Sequence, residues 1–135
     1  MDAQRFLYGT VVGGVTLFVV GGLVYGLALA NAYPATSIDR ELPIWWALGV
    51  AQLVWGALLV LVLDKWPGGA TAAGGFKAGA MIGFLASAAI GLGFYSMMTL
   101  PISIMNFVDP FIAAVVFGIG GAAVGLSLGR GGAEA

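Results

Sequence analysis

The polar side chains that could do chemistry in this chain are few, and most stand singly inside long apolar stretches. Each offers a hydroxyl, an amide or a carboxylate for hydrogen bonding. The chain contains no histidine and no cysteine, so no nucleophile has a histidine base beside it, and we predict no enzyme activity. The chemistry expected of these polar side chains is hydrogen bonding and ligand contact. The candidate polar-contact residues are Thr16, Tyr25, Gln52, Ser87, Tyr95 and Asp109.

Gln52 is the most unusual of these residues, because an amide inside an apolar helix must find hydrogen-bond partners. One role is a structural bond between helices, and the other is contact with a ligand or a lipid headgroup. Tyr25 and Tyr95, near the ends of two apolar stretches, also have two interpretations. They could frame a polar mouth together with Asn31 and Asn106, or they could be ordinary interfacial tyrosines.

Asp109 directly precedes Pro110, and this pair predicts a helix that begins at Pro110 with Asp109 as its N-cap. The interiors of the apolar stretches then hold no ionisable residue, so proton-coupled transport is not expected. Asp109 shares one side of the predicted bundle with Asp39, Glu41 and a single Arg40. These three acids could attract cations, or they could belong to solvated loops.

Four apolar stretches must position these residues. Hydrophobic residues make up 61% of the 135 positions and charged residues only 8%, against about 25% charged in an ordinary soluble domain. A bilayer core needs about 20 apolar residues in a helix. We therefore predict an all-α membrane protein with one domain over residues 1–135. Its four transmembrane helices are expected at about 6–30, 44–63, 76–99 and 110–128.

Basic residues in the short connections predict the orientation of this bundle. Both termini are expected in the cytoplasm, because only Arg40 falls on the opposite side. Nucleic acid is not an expected partner, since the net charge is −1 and Lys and Arg form no cluster. The lack of histidine and cysteine also argues against the usual zinc and copper sites, and no metal site is predicted. The basic residues on the side of the termini are Arg5, Lys65, Lys77 and Arg130.

Glycines recur at four-residue spacing within three of the apolar stretches. Residues four apart lie on one helical face, and small residues let helix backbones approach each other in lipid. We predict that these glycines pack the four helices against one another, with a face for homodimer formation as the alternative. The predicted packing glycines are Gly9, Gly13, Gly22, Gly26, Gly75, Gly79, Gly83, Gly121, Gly125 and Gly129.

The glycine pattern also suggests an internal repeat. A shift of 70 residues places Gly9 on Gly79 and Gly13 on Gly83, and a shift of 69 places Gly56 on Gly125. Such matches favour two copies of a helical hairpin, related by an axis along the membrane normal because each copy has an even number of spans.

Several motifs resemble those of a group of small bacterial four-helix integral membrane proteins of unknown function. They are the segments 71–83, 108–110, 118–125, 45–49 and 22–25. The resemblance covers most of the chain and implies a four-helix fold in a bacterial inner membrane. It supplies no catalytic or binding residue.

The leading functional hypothesis is a non-catalytic membrane protein that acts by assembly, as a homo-oligomer or as an accessory subunit of a larger membrane complex. Membrane lipids and other membrane subunits are its expected partners. A second hypothesis is a small pore or carrier for a neutral or apolar solute, with a path near Thr16, Gln52 and Ser87. A third is binding of a lipid, quinone or pigment in an apolar groove; no cofactor is predicted outright.

Overall fold

The computed structural model describes residues 1–36, 39, 41–99 and 103–133, with side chains to residue 131. Across these ranges the chain is helical and has no strand. Arg40, which entered the orientation argument, lies outside the described residues. Each of the four helical stretches is long and apolar enough to cross a membrane. The helices are α1 (Ala3–Gly21), which continues as a π-helical segment (Gly22–Ala28), α2 (Trp45–Lys65), α3 (Ala72–Met97) and α4 (Met105–Ala133).

Side-chain caps fix the first turns of α1 and α3. Asp2 Oδ1 accepts a hydrogen bond from the Arg5 amide at 2.8 Å, and Thr71 Oγ1 accepts one from the Gly74 amide at 3.0 Å. Both satisfy amides that have no partner inside the helix. Between α2 and α3 the chain turns at Gly68, whose φ of +73° is a conformation that glycine adopts without steric cost.

The predicted start of the fourth helix at Pro110 is wrong. α4 begins at Met105, because Ser103 and Asn106 cap it: the Ser103 amide donates to Asn106 Oδ1 at 2.8 Å, and the Met105 amide donates to Ser103 Oγ at 3.2 Å. Asp109 therefore lies in the second turn of α4 rather than at its cap. Pro110 is inside the helix, where it lacks the amide that would bind the Asn106 carbonyl.

α4 is the helix that joins the bundle together. It packs against α1, against α2 and most extensively against α3, whereas α2 and α3 hardly touch. α1 and α2 form the other close pair. The buried core runs from the middle of the bundle to the end that holds both chain termini, here named the terminal end; the opposite end is the distal end. The core side chains are Leu17, Leu59, Val60, Leu63, Ala78, Val116, Val124 and Leu128.

The contact between α3 and α4 is made by backbone. A Cβ added at Gly79 would collide with the Phe117 carbonyl and lie 3.1 Å from Gly121 Cα, and one added at Gly83 would collide with the Ala113 carbonyl. Helices this close have no room for a side chain between them. The same kind of contact pairs Gly75 with Gly121, Gly125 with Thr71, and Gly129 with Ala70.

α1 and α2 approach closely over a shorter stretch. A Cβ at Gly13 would lie 3.1 Å from Gly56 Cα and 2.7 Å from a Val124 methyl group, and one at Gly9 would lie 2.8 Å from Val60 Cγ2. Beyond this crossing the two helices separate. At Gly22 and Gly26 an added Cβ would meet no atom within 4 Å, so these two predicted packing glycines face open space in the described chain.

The two hairpins do not pack in the same register. Gly56 lies against Thr10 and Gly14. Under the shift of 70 residues, Thr10 and Gly14 correspond to positions 80 and 84, which should then be the partners of the residue equivalent to Gly56. Gly125, the counterpart of Gly56, instead lies against Gly69 and Thr71. Residues that the proposed repeat makes equivalent therefore have different partners, and the repeat stays a prediction.

Candidate functional site

A group of polar side chains lies at the distal end of the bundle. It lines a cleft of about 370 Å³, here named the distal cleft. One wall comes from α3, another from the π-helical segment and the loop after it, and the floor from α2 and α4. Its main lining residues are Tyr25, Tyr33, Trp55, Ser87, Phe94, Asp109 and Phe117.

The Asp109 carboxylate is the charged group of this cleft. Its Oδ1 accepts a hydrogen bond from the Tyr33 hydroxyl at 2.5 Å, and its Oδ2 accepts one from the Ser87 hydroxyl at 2.5 Å. Hydrogen bonds to a carboxylate are shorter and stronger than those between neutral groups. The carboxylate thus ties together α3, α4 and the loop that follows the π-helical segment.

The backbone contact between α3 and α4 places Ser87 beside Asp109. Gly83 lies directly against the Ala113 carbonyl. Ser87 follows Gly83 by one helical turn, and Asp109 precedes Ala113 by one turn, so in antiparallel helices these next positions also face each other. A larger residue at position 83 would separate the helices and with them the hydrogen-bonded pair.

The π-helical segment carries the aromatic side of the cleft. The rings of Tyr25 and Tyr33 lie 6.1 Å apart at 47°. Burial, and next the hydrogen bond to the Asp109 carboxylate, raise the pKa of Tyr33 above its ordinary value. The Tyr33 hydroxyl therefore keeps its proton and remains a donor to Asp109.

The floor closes the distal cleft towards the terminal end. Trp55 and Phe117 meet edge to face with ring centroids 5.1 Å apart. Below them, Leu17 and Leu59 are 1% and 0% exposed. Among the described residues, the aromatic pair bounds the cleft on this side, at about the middle of the bundle.

Two further clefts adjoin the distal cleft. One, of about 550 Å³, lies between the end of the first helix and α2, and shares Tyr25, Trp55 and Phe117 with it. The other, also of about 550 Å³, lies on the outer side of α3 and α4, and shares Ser87, Gly91, Phe94 and Asn106 with it. The distal half of the bundle thus holds three adjoining clefts, and a separate cleft of about 310 Å³ lies at the terminal end, beside Arg5 and Asp64.

The structure brings together three of the six predicted polar-contact residues, namely Tyr25, Ser87 and Asp109. Gln52 lines the adjoining cleft beside α2, and its side chain takes part in none of the hydrogen bonds among the described residues. Tyr95 is 64% exposed and lines the outer cleft. Thr16 donates to the Val12 carbonyl of its own helix at 2.7 Å.

Tyr33, Trp55 and Phe94 were not predicted as site residues. Tyr33 follows the first apolar stretch, where the sequence indicates a loop and gives no partner for its hydroxyl. Trp55 and Phe94 are aromatic residues within apolar stretches and resemble ordinary lipid-facing or core residues. The only signal for the capping of α4 was the spacing of Ser103 and Asn106, which resembles a capping box.

The arrangement suits the binding of a positively charged or hydrogen-bonding group. Asp109 is the only formally charged residue among those that line the distal cleft. No group of three His, Cys, Asp or Glu side chains that could hold a metal ion occurs in the ranges that the structure describes. One carboxylate with two hydroxyl donors and aromatic walls can hold a head group by charge, hydrogen bonds and ring faces.

No protein-family model, curated protein or solved structure matches the chain.

Proposed function

We propose that the protein is a non-catalytic membrane protein that binds a small amphiphilic molecule in the distal cleft. The observation that carries this proposal is the Asp109 carboxylate, held by Ser87 and Tyr33 at one end of a cleft whose other walls are aromatic and apolar. Intramembrane polar clusters that face a cavity are functional sites by default.

An amphiphile fits because the polar and apolar parts of the site are separate. Its head group would lie beside Asp109 in the distal cleft, and its apolar body would extend into an adjoining cleft. Lipid is as apolar as these walls, so burial alone gives little affinity. Selectivity therefore has to come from the polar end.

The proposed location follows from the charge distribution. With the basic residues on the side of the termini, the terminal end faces the cytoplasm and the distal cleft faces the opposite side of a bacterial inner membrane. The cleft would then take its ligand from the outer leaflet or from the outer aqueous phase.

Blocking the cleft tests this proposal. Gly91 lines it and Gly93 does not, yet an added Cβ meets no atom within 4 Å at either position. Gly91→Leu should fill the cleft, and Gly93→Leu is the matched control. Both are made in a chain that keeps Trp55 as its only tryptophan (Trp45→Phe, Trp46→Phe, Trp66→Phe) and placed in lipid nanodiscs.

The probes are brominated amphiphiles of one chain length, which quench Trp55 when they reach it: bromoundecyltrimethylammonium, bromoundecanol and bromoundecanoate. We expect saturable quenching by at least one probe. Gly91→Leu should weaken the apparent affinity of that probe at least about tenfold, a loss of about 1.4 kcal/mol. Gly93→Leu should leave the apparent affinity unchanged. Quenching that is linear with every probe and equal in both variants would contradict the proposal.

Assembly remains a second candidate, favoured by Gly22 and Gly26. They lie four residues apart and face open space, so a helix of another subunit could approach there. The chain has no cysteine, which allows Gly26→Cys to report neighbours directly. A disulfide-linked dimer in native membranes, absent when Gly22→Leu is added, would support assembly; a monomer under oxidising conditions would contradict it at this face.

A further inference from the structure

We propose that the head group bound in the distal cleft is an organic cation, with an alkylammonium centre placed between the Asp109 carboxylate and the aromatic rings around it. This inference rests on the proposed function and specifies its ligand class.

The first argument is charge. Asp109 is the only charged residue that lines any of the three adjoining clefts. The described basic side chains, Arg5, Lys65, Lys77 and Arg130, stand at or near the ends of helices at the terminal end. Within the described ranges, no basic side chain lines the cleft beside this carboxylate. A carboxylate without a cation in an apolar cleft is costly, and a cationic ligand would supply the charge.

The second argument is the aromatic lining. Tyr25, Tyr33, Trp55 and Phe94 all line the same cleft as Asp109. Aromatic faces attract cations, and clusters of them are the usual way in which proteins recognise alkylated ammonium groups. A carboxylate beside several rings therefore selects an ammonium group over a neutral head of equal size.

Other ligand classes fit less well. An anionic head group would be repelled by Asp109, with no basic residue in the lining to offset it. An inorganic divalent cation requires several oxygen ligands, and the cleft offers one carboxylate that is already bonded to two hydroxyls. The volume of about 370 Å³ lies within the range of small-molecule sites, and each adjoining cleft of about 550 Å³ can take an apolar chain.

The three probes described above test this inference, because they share one chain and differ in head-group charge. We expect the concentration of bromoundecyltrimethylammonium at half-maximal quenching of Trp55 to be at least about tenfold below that of bromoundecanol, and bromoundecanoate to quench least. The Gly91→Leu chain, measured with the same probes, gives the background from partition into lipid.

Asp109→Asn should remove the preference for the cation, and Asp109→Glu should retain it. The comparison of probes on the unaltered cleft decides the question even if Asp109→Asn does not fold. Equal saturable quenching by the ammonium and the alcohol would overturn the cation assignment and leave the proposed function standing. The absence of saturable quenching by all three would overturn the proposed function itself.

Discussion

The hairpins α1–α2 and α3–α4 have similar lengths and composition, but different surfaces hold them together. α3 and α4 touch through backbone over successive turns, from Gly75 beside Gly121 to Gly83 beside Ala113. α1 and α2 have one such crossing, at Gly13 and Gly56, and bulky side chains fill the space between them on its terminal side. Glycines at four-residue spacing keep two helices in contact along their length only when the partner also presents small residues on its facing turns.

This difference accounts for the unequal distal ends of the two hairpins. The continuous contact of α3 with α4 holds Ser87 against Asp109. In the other hairpin the helices separate beyond their crossing, and Gln52 lines an open cleft there. Backbone contact between α3 and α4 thus positions Ser87 beside Asp109. Side-chain contact between α1 and α2 leaves a cleft at the distal end of that hairpin.

The largest expected effect comes from alanine at Gly79 compared with alanine at Gly9, two positions that the shift of 70 residues makes equivalent. Alanine gains about 1 kcal/mol of helix propensity over glycine at either site. At Gly79 the new Cβ meets the backbone of Phe117, which cannot move alone, whereas at Gly9 it meets a Val60 methyl group. We expect Gly79→Ala to be less stable than Gly9→Ala by about 2 kcal/mol or more.

Unfolding of the two variants in the same detergent, followed by loss of helical circular dichroism, measures this difference. Gly93→Ala, at an open position of α3, controls for helix propensity. Equal stabilities for Gly79→Ala and Gly9→Ala would contradict this difference between the hairpins and would support the predicted repeat.

A smaller effect should separate the polar residues of the two distal ends. Asp109→Ala leaves the Ser87 and Tyr33 hydroxyls without their acceptor, and we expect a loss of about 2 kcal/mol in the free energy of unfolding. Gln52→Leu removes an amide that bonds to none of the described residues, so a change within about 0.5 kcal/mol is expected. A large loss with Gln52→Leu in the same unfolding assay would mean that the amide is structural.

The smallest effect concerns the ionisation of Tyr33. Its pKa is raised in the folded protein by burial and by Asp109, above the unfolded value of about 10. The resulting stabilisation is fully present below pH about 10 and is lost as the pH rises through the folded value. The difference in tyrosinate absorbance between the wild type and Tyr33→Phe should show a tyrosine that ionises at higher pH than an ordinary one. Asp109→Ala should lower the pH at which this tyrosine ionises. A Tyr33 that ionises at its ordinary pKa would contradict the hydrogen bond.

Composition was sufficient to predict the four helices, because few charges and long apolar stretches leave the chain no water-soluble alternative. The ends of the helices were harder. Asp109 and Pro110 form a good local start signal, but the helix extends one turn further because Ser103 and Asn106 satisfy its first amides. Two start signals within a few residues cannot be ranked from local sequence alone.

Several residues of the candidate site could be predicted from the sequence, but their proximity to one another could not. Tyr25, Ser87 and Asp109 stood out because polar groups are rare in apolar stretches. Their meeting depends on the rotation and axial register of three helices, which the glycine contacts determine and which spacing within one helix does not reveal. Tyr33 joins them from a loop, and only the fold brings it within reach of Asp109.

The central place of α4 has a consequence for how the chain assembles as it is inserted into a membrane. α1 and α2 can pair as soon as both have entered the bilayer, but α3 has no partner for Gly75, Gly79 and Gly83 until α4 follows it. Arg5 then donates to the Leu128 carbonyl, a bond between residues 123 positions apart. Insertion of the fourth helix is thus the step that commits the chain to its fold, and until then the glycine face of α3 has no helix packed against it.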